Sequence, residues 1–141
     1  MTRRVLFLIS DTGGGHRASA EALAEAMARL HGPAVQCALV DPFAQYARWP
    51  LNRVPDSYEP LVNRHGWLWQ ALWRLSDSRT AWRAASSAVA VWQAERLRIL
   101  ARDFPVDLAV SLHPLLCQIP QKTLRARHPG IRLATVVTDL A

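Results

Sequence analysis

Three consecutive glycines, Gly13, Gly14 and Gly15, run directly into His16, and that imidazole is the side chain of this 141-residue sequence best placed for chemistry. Glycines let the backbone approach a ligand closely, and a neutral imidazole beside them can accept a proton. Two further groups have the right types. His113 stands in Ser111-Leu112-His113-Pro114, and Thr138-Asp139 offers a hydroxyl and a carboxylate, each just after an apolar run. Asp139 is placed there to orient a histidine or a substrate hydroxyl. Asp41 closes another such run and either reaches a ribose or caps the turn that follows. A structural turn at the glycines, and satisfied loop histidines at His16 and His113, are the plain alternatives.

These residues need elements to position them. Val5 to Ile9 is a continuous apolar run and predicts a strand buried on both faces. From Arg17 the pattern becomes helical, with Ala18, Leu23, Ala26, Met27 and Leu30 assigned to one face. Strand, glycine turn and helix are the first half of a βαβ unit, and the helix N-terminus suits a phosphate or a developing negative charge. The spacing is neither GxGxxG nor GxxxxGK[ST], so the dinucleotide and P-loop fingerprints are both absent.

His31-Gly32-Pro33 ends this helix, and Val35 to Val40 predicts a second strand. From Phe43 to Arg79 the alternation breaks down, with Pro50, Pro55 and Pro60 punctuating a segment crowded by Trp49, Trp67, Trp69 and Trp73 and by arginines that include Arg53. Such a long insertion tends to be functional. Tryptophan with arginine suits a membrane interface, where rings lie at headgroup depth and guanidinium groups meet lipid phosphates; a satellite core under the insertion is the alternative. Within it His65 to Leu75 predicts a short helix. Thr80 to Arg102 predicts one long helix with Trp82, Ala85, Val89, Trp92 and Ile99 inward. Leu108 to Leu112 predicts a third strand, Leu115 to Arg127 a helix with Pro120 at a kink or in its first turn, and Leu133 to Val137 a last strand. Alternating elements give an α/β fold, a Rossmann-like parallel sheet with flanking helices.

Composition narrows the partners. Hydrophobic residues make up 50 % of the sequence, which excludes a disordered chain, and the formal net charge is +6, nearly all of it from arginine. That balance suits an anionic lipid surface or a phosphorylated substrate. No RNA-module or zinc-finger spacing is present, so nucleic acid is not expected as a partner, and no metal-ligand spacing is seen. Cys37 and Cys117 are far apart and read as reduced thiols. No signal peptide or membrane-spanning run is recognised, which places the protein in the cytosol or peripherally on the cytoplasmic face of a membrane.

The run Ser10-Asp11-Thr12-Gly13-Gly14-Gly15-His16 with its helix resembles the opening of the monogalactosyldiacylglycerol synthase family, glycolipid-making transferases of the GT-B fold akin to glycosyltransferase family 28. Pro50-Leu51-Asn52-Arg53-Val54-Pro55-Asp56-Ser57-Tyr58, then Ser111-Leu112-His113-Pro114-Leu115, then Val136-Val137-Thr138-Asp139-Leu140 match in order and approximate spacing. The resemblance implies transfer of a hexose from a UDP-sugar to diacylglycerol with inversion. His16 then resembles the family's proposed base, with Asp139 as a second catalytic candidate. Gly13, Gly14, Gly15, His113 and Thr138 bind substrate, and the region of Trp49, Arg53, Tyr58, Trp67, Trp69 and Trp73 meets the membrane and the lipid acceptor. The UDP-hexose is a substrate, so no separate cofactor or metal is implied. A GT-B enzyme has two α/β domains. This sequence corresponds to the amino-terminal, acceptor-side one and ends before it is complete, so the donor domain is missing and these 141 residues alone are expected to be inactive. Two rivals remain: a noncatalytic lipid-binding domain, and a cell-wall glycosyltransferase acting on a polyprenyl-linked acceptor.

Overall fold

The computed structural model describes residues 2–11, 15–92, 94–113, 116–117 and 119–138. Strands β1 (Arg3–Leu8), β2 (Val35–Val40), β3 (Leu108–Ser111) and β4 (Arg132–Thr135) form one parallel sheet in the order β2-β1-β3-β4. β1 is paired on both sides, with Val5 opposite Cys37 and Leu108, and Leu8 opposite Val40 and Ser111. Its apolar run explains that central place. Leu6 and Leu8 face one layer, Val5, Phe7 and Ile9 the other, and each is 5 % exposed or less, so both faces of the sheet are covered here. Each such side chain contributes about 1.5–3 kcal/mol of burial.

Helix α1 (Gly15–His31) covers one face of the sheet through Ala20, Leu23, Ala24 and Met27. The buried stripe is therefore shifted from the one the sequence suggested. Ala18 and Ala26 are exposed and Leu30 is 79 % exposed, because the helix starts two residues earlier, with His16 already turned inward. The opposite face is covered by α6 (Ala94–Asp103) and α7 (Ile119–Arg127), through Leu97, Leu100, Ala101 and Leu124. Sequence periodicity had merged α6 with α5 (Arg79–Trp92) into one helix. They are two, with Gln93 between them outside the described residues, and Ile99 is only half-buried while Leu97 and Leu100 pack inward. Pro120 lies in the first turn of α7, where its missing N–H costs nothing.

Between β2 and β3 the insertion is helical rather than irregular: α2 (Pro42–Tyr46), a single 3-10 turn at Leu51–Arg53, α3 (Val54–Arg64), α4 (Gly66–Asp77) and then α5. The prolines do not forbid this. Pro42 and Pro55 sit in first turns, and Pro60 is accommodated inside α3. No described side chain of α3, α4 or α5 is buried.

The amino edge of the sheet is tied by Asp107. Its carboxylate accepts the Arg4 N–H at 2.9 Å and an Arg3 guanidinium N–H at 3.0 Å, while its own N–H donates to the Arg4 carbonyl. The Arg4 amide, then the Arg3 guanidinium, hold this carboxyl below its ordinary range. A folded-state value lowered in this way contributes stability above the ordinary carboxyl range and loses it as pH falls toward the lowered value. Asp107→Asn is therefore expected to be less stable than the parent at pH 7. The gap in urea midpoint should close as pH is lowered through that window. A gap that stays constant down to pH 2.5 would contradict the assignment.

Candidate active site

The strand order reverses at β1. The chain steps from β1 to β2 on one side, then crosses to β3 on the other side and continues to β4. The segments that follow β1 and β3 therefore diverge to opposite faces and leave a crevice at their carboxyl ends, which is where open α/β sheets place ligands. Main-chain bonds continue past the strands into this edge, from Ile9 N–H to the Val40 carbonyl, Leu112 N–H to Leu8 and Val136 N–H to Ser111. They fix the stems of all the loops around the crevice.

His16 and His113 meet there. Their ring centroids are 4.8 Å apart with planes at 72°, an edge-to-face contact, and Phe43 lies edge-on to His113 at 6.1 Å. His16 is 7 % exposed, so its ring is held among protein atoms with little contact to bulk water. Its Nδ1 lies 2.8 Å from the Thr138 hydroxyl, which is also 3.4 Å from the Leu112 carbonyl. The sequence assigned Thr138 to substrate. In the folded protein its hydroxyl is turned onto His16. Gly15 opens α1, and a Cβ built on it would meet nothing within 4 Å, so packing inside the described chain does not demand glycine at that position. Gly13, Gly14 and Asp139 lie outside the described residues.

The glycine loop is anchored by charge at both ends. Arg17, in the first turn of α1, donates from Nε and Nη2 to the two Asp11 oxygens at 2.7 Å each, a bidentate fork that closes the loop. That guanidinium holds the Asp11 carboxyl below its usual range. The Asp11 N–H in turn donates at 3.0 Å to Asp41 Oδ2. Asp41 is 2 % exposed, and its other oxygen accepts from Phe43 N–H and Ala44 N–H, capping α2. Its role is thus the capping one, extended to the glycine loop; no ribose contact is needed to explain it.

Three positioning residues escaped the sequence reading. The His113 carbonyl accepts from Leu116 N–H at 2.9 Å, from Ser111 Oγ at 3.2 Å and from Cys117 Sγ at 3.4 Å, which locks the turn presenting the His113 ring. Ser111 at the buried end of an apolar strand was the available signal. Arg17, a charge at a helix start, was the other. The cysteines are both free thiols, and burial pushes Cys37 up, toward an unreactive thiol. Among the described residues no three His, Cys, Asp or Glu side chains converge to hold a metal ion.

At the insertion, Trp49 is 73 % and Trp67 72 % exposed, and Arg53 is exposed beside them in sequence. Those two tryptophans are not satellite core. The side chains of Tyr58, Trp69, Trp73, Trp82 and Trp92 lie outside the described residues. No described helix is long and apolar enough to cross a membrane.

Comparison with known proteins identifies the family. The sequence model of the family described as Monogalactosyldiacylglycerol (MGDG) synthase matches residues 16–141, starting at the candidate base itself. The chain belongs to the monogalactosyldiacylglycerol synthase family. Among its relatives, the chloroplastic monogalactosyldiacylglycerol synthase of Spinacia oleracea is 38 % identical over 141 residues, covering 99 % of this chain and 27 % of that protein. Monogalactosyldiacylglycerol synthase 1 of Arabidopsis thaliana is 35 % identical over 99 % of this chain and 26 % of its own length. A probable monogalactosyldiacylglycerol synthase 2 of Oryza sativa subsp. indica is 37 % identical over 98 % of this chain and 30 % of its own. The chain thus spans about a quarter to a third of the length of the curated relatives it matches.

Family membership covers the stretch in which Asp41 ties the loop before His16 to α2. Asp41→Ala removes three acceptor contacts at a buried site and is expected to cost about 2–3 kcal/mol. Urea unfolding measures it, and a loss below about 0.5 kcal/mol would show that the carboxylate does not organise this edge.

Proposed function

We propose that this chain forms the acceptor-side part of a glycosyltransferase that moves a hexose from a UDP-sugar onto the free hydroxyl of diacylglycerol, with inversion at the anomeric carbon. Galactose is taken as the hexose from the names of the relatives. The observation that carries the reading is His16, set in the switch-point crevice at the start of α1 with Nδ1 engaged by Thr138.

The chemistry asks for two things. As the acceptor oxygen bonds to the anomeric carbon, its proton must go to a base, and His16 Nε2 is the nitrogen that takes it. As the bond from that carbon to the diphosphate breaks, negative charge grows on the departing UDP. The N-terminus of α1 is suited to stabilise that charge, and Gly13, Gly14 and Gly15 are assigned to the same task. Gly15, which the chain's own packing leaves open, supports close approach of a ligand. His113 packs against the base and helps bound the acceptor pocket, and Asp139 is assigned to orienting the acceptor. The donor nucleotide is held mainly by the part of such an enzyme that corresponds to the unmatched length of the relatives, so these 141 residues alone are proposed not to turn over.

The acceptor lives in a bilayer, and the same chain carries a surface suited to one. Residues 48–83 hold six arginines against three acids, with Trp49 and Trp67 open to solvent. We assign this surface to peripheral docking on an anionic membrane at its cytoplasmic face. A noncatalytic lipid-binding domain would use that surface and nothing else; the buried, paired imidazole favours catalysis.

In the complete enzyme, His16→Gln is expected to lower kcat by about 10²–10⁴-fold while vesicle binding stays intact. Turnover at the parental rate would remove His16 as base, and competition between diacylglycerol and polyprenyl lipids would decide the acceptor class. For the membrane surface, Trp49→Ala with Trp67→Ala should weaken partitioning onto vesicles containing phosphatidylglycerol by about tenfold. Unchanged partitioning would return those rings to a purely structural role.

A further inference from the structure

We propose that Thr138 is the positioning residue that fixes the tautomer of His16, keeping the proton on Nδ1 and the lone pair on Nε2. The inference rests on the reading of His16 as a base and specifies how its reactive nitrogen is chosen.

The argument is one of proton counting. Thr138 Oγ1 stands 2.8 Å from His16 Nδ1 and 3.4 Å from the Leu112 carbonyl oxygen. A hydroxyl has one proton to donate, and a carbonyl oxygen can only accept. When the hydroxyl donates to Leu112, the lone pairs of Oγ1 face Nδ1, and that nitrogen must be the one carrying hydrogen. Which imidazole nitrogen is protonated follows from the bond made by the other. The relay is anchored at its far end. The N–H of Leu112 donates to Leu8 at 3.0 Å, and Val136, two residues before Thr138, donates to Ser111 at 2.9 Å, so carbonyl and hydroxyl are both carried on extensions of the central sheet. The edge contact with His113 restricts rotation of the ring about the same axis. A residue 122 positions away in sequence thus does for His16 what a buried carboxylate does for a catalytic histidine elsewhere, without adding charge beside a helix N-terminus.

The direct test is the two-bond ¹H–¹⁵N imidazole spectrum of histidine-labelled complete enzyme at alkaline pH, with His16 assigned by loss of its signals in His16→Gln. The Nδ1–H pattern is expected, and an Nε2–H pattern overturns the proposal without needing any Thr138 variant to fold. Kinetics supply the second arm. Thr138→Val should lower kcat by about 10- to 100-fold with the KM for diacylglycerol moved less than about twofold, and Thr138→Ser should recover to within about threefold of the parent. A raised KM at unchanged kcat would mean that the hydroxyl serves the acceptor, and a serine variant as slow as the valine one would mean that the methyl group matters; either result overturns the relay. A fully active His16→Gln would sink the base assignment instead, and the spectrum would still decide what Thr138 does to the ring.

Discussion

The parallel pairing of β1 with β3 is the constraint on which the rest of this structure depends. Register places Leu8 beside Ser111, so the two strands end together. Their continuations then separate, because α1 must cover one face of the sheet and α7 the other. That divergence opens the crevice. It also brings into contact two histidines that neither local sequence nor helix periodicity would join. Burial of β1 on both faces supplies the free energy that holds the pairing, and it is why the glycine loop begins from a fixed point.

From that fixed point, charge and hydrogen bonding carry order outward. Asp41 ends β2, the strand beside β1, and its two oxygens divide their work between the Asp11 amide and the first turn of α2. Arg17 then closes on Asp11 from the helix side. The anionic Asp11 lies by the positive end of α1, so the fork both compensates the arginine placed at that helix end and leaves the loop tethered from two directions. The His113 turn is organised similarly, one carbonyl satisfying three donors. Such satisfied polar groups cost little when buried, whereas any one left unpaired would cost about 1–3 kcal/mol.

How much of this was legible in the sequence follows from the range of the interactions. β1 and β2 were readable because runs of apolar residues are local signals, while Gly13 and Gly14 lie outside the described residues. The helical face of α1 was misphased because alanines at Ala18, Ala20, Ala24 and Ala26 give periodicity little contrast, so that which of them turn inward with His16 was not legible. The insertion read as irregular because prolines were taken as breaks, yet Pro42 and Pro55 stand in first turns where proline is suited. His16, His113 and Thr138 were each picked out by type and by their place after apolar runs. That the hydroxyl of Thr138 should reach His16 depends on strand order, which one sequence does not encode locally.

The same ranges explain why the site and the insertion differ in character. The crevice stands on the buried carboxyl half of β1, with Leu6, Phe7, Leu8 and Ile9 at 0 % exposure. The insertion meets the rest of the fold through Phe43 and Tyr46, which pack against the core, and through polar contacts near the surface: Arg48 to Glu95 at 2.8 Å and the Tyr46 hydroxyl to Asp103 at 3.3 Å. Exposed ion pairs of that kind contribute about 0–1 kcal/mol each. Trp49 and Trp67 lie exposed on this insertion, while His16 stands a few residues beyond β1 of the buried sheet. The link between the two is short, since Asp41 caps the helix at which the insertion begins and accepts the Asp11 N–H ahead of His16. The insertion and the His16 crevice are therefore joined through one carboxylate and through Phe43, which packs on the core and lies edge-on to His113.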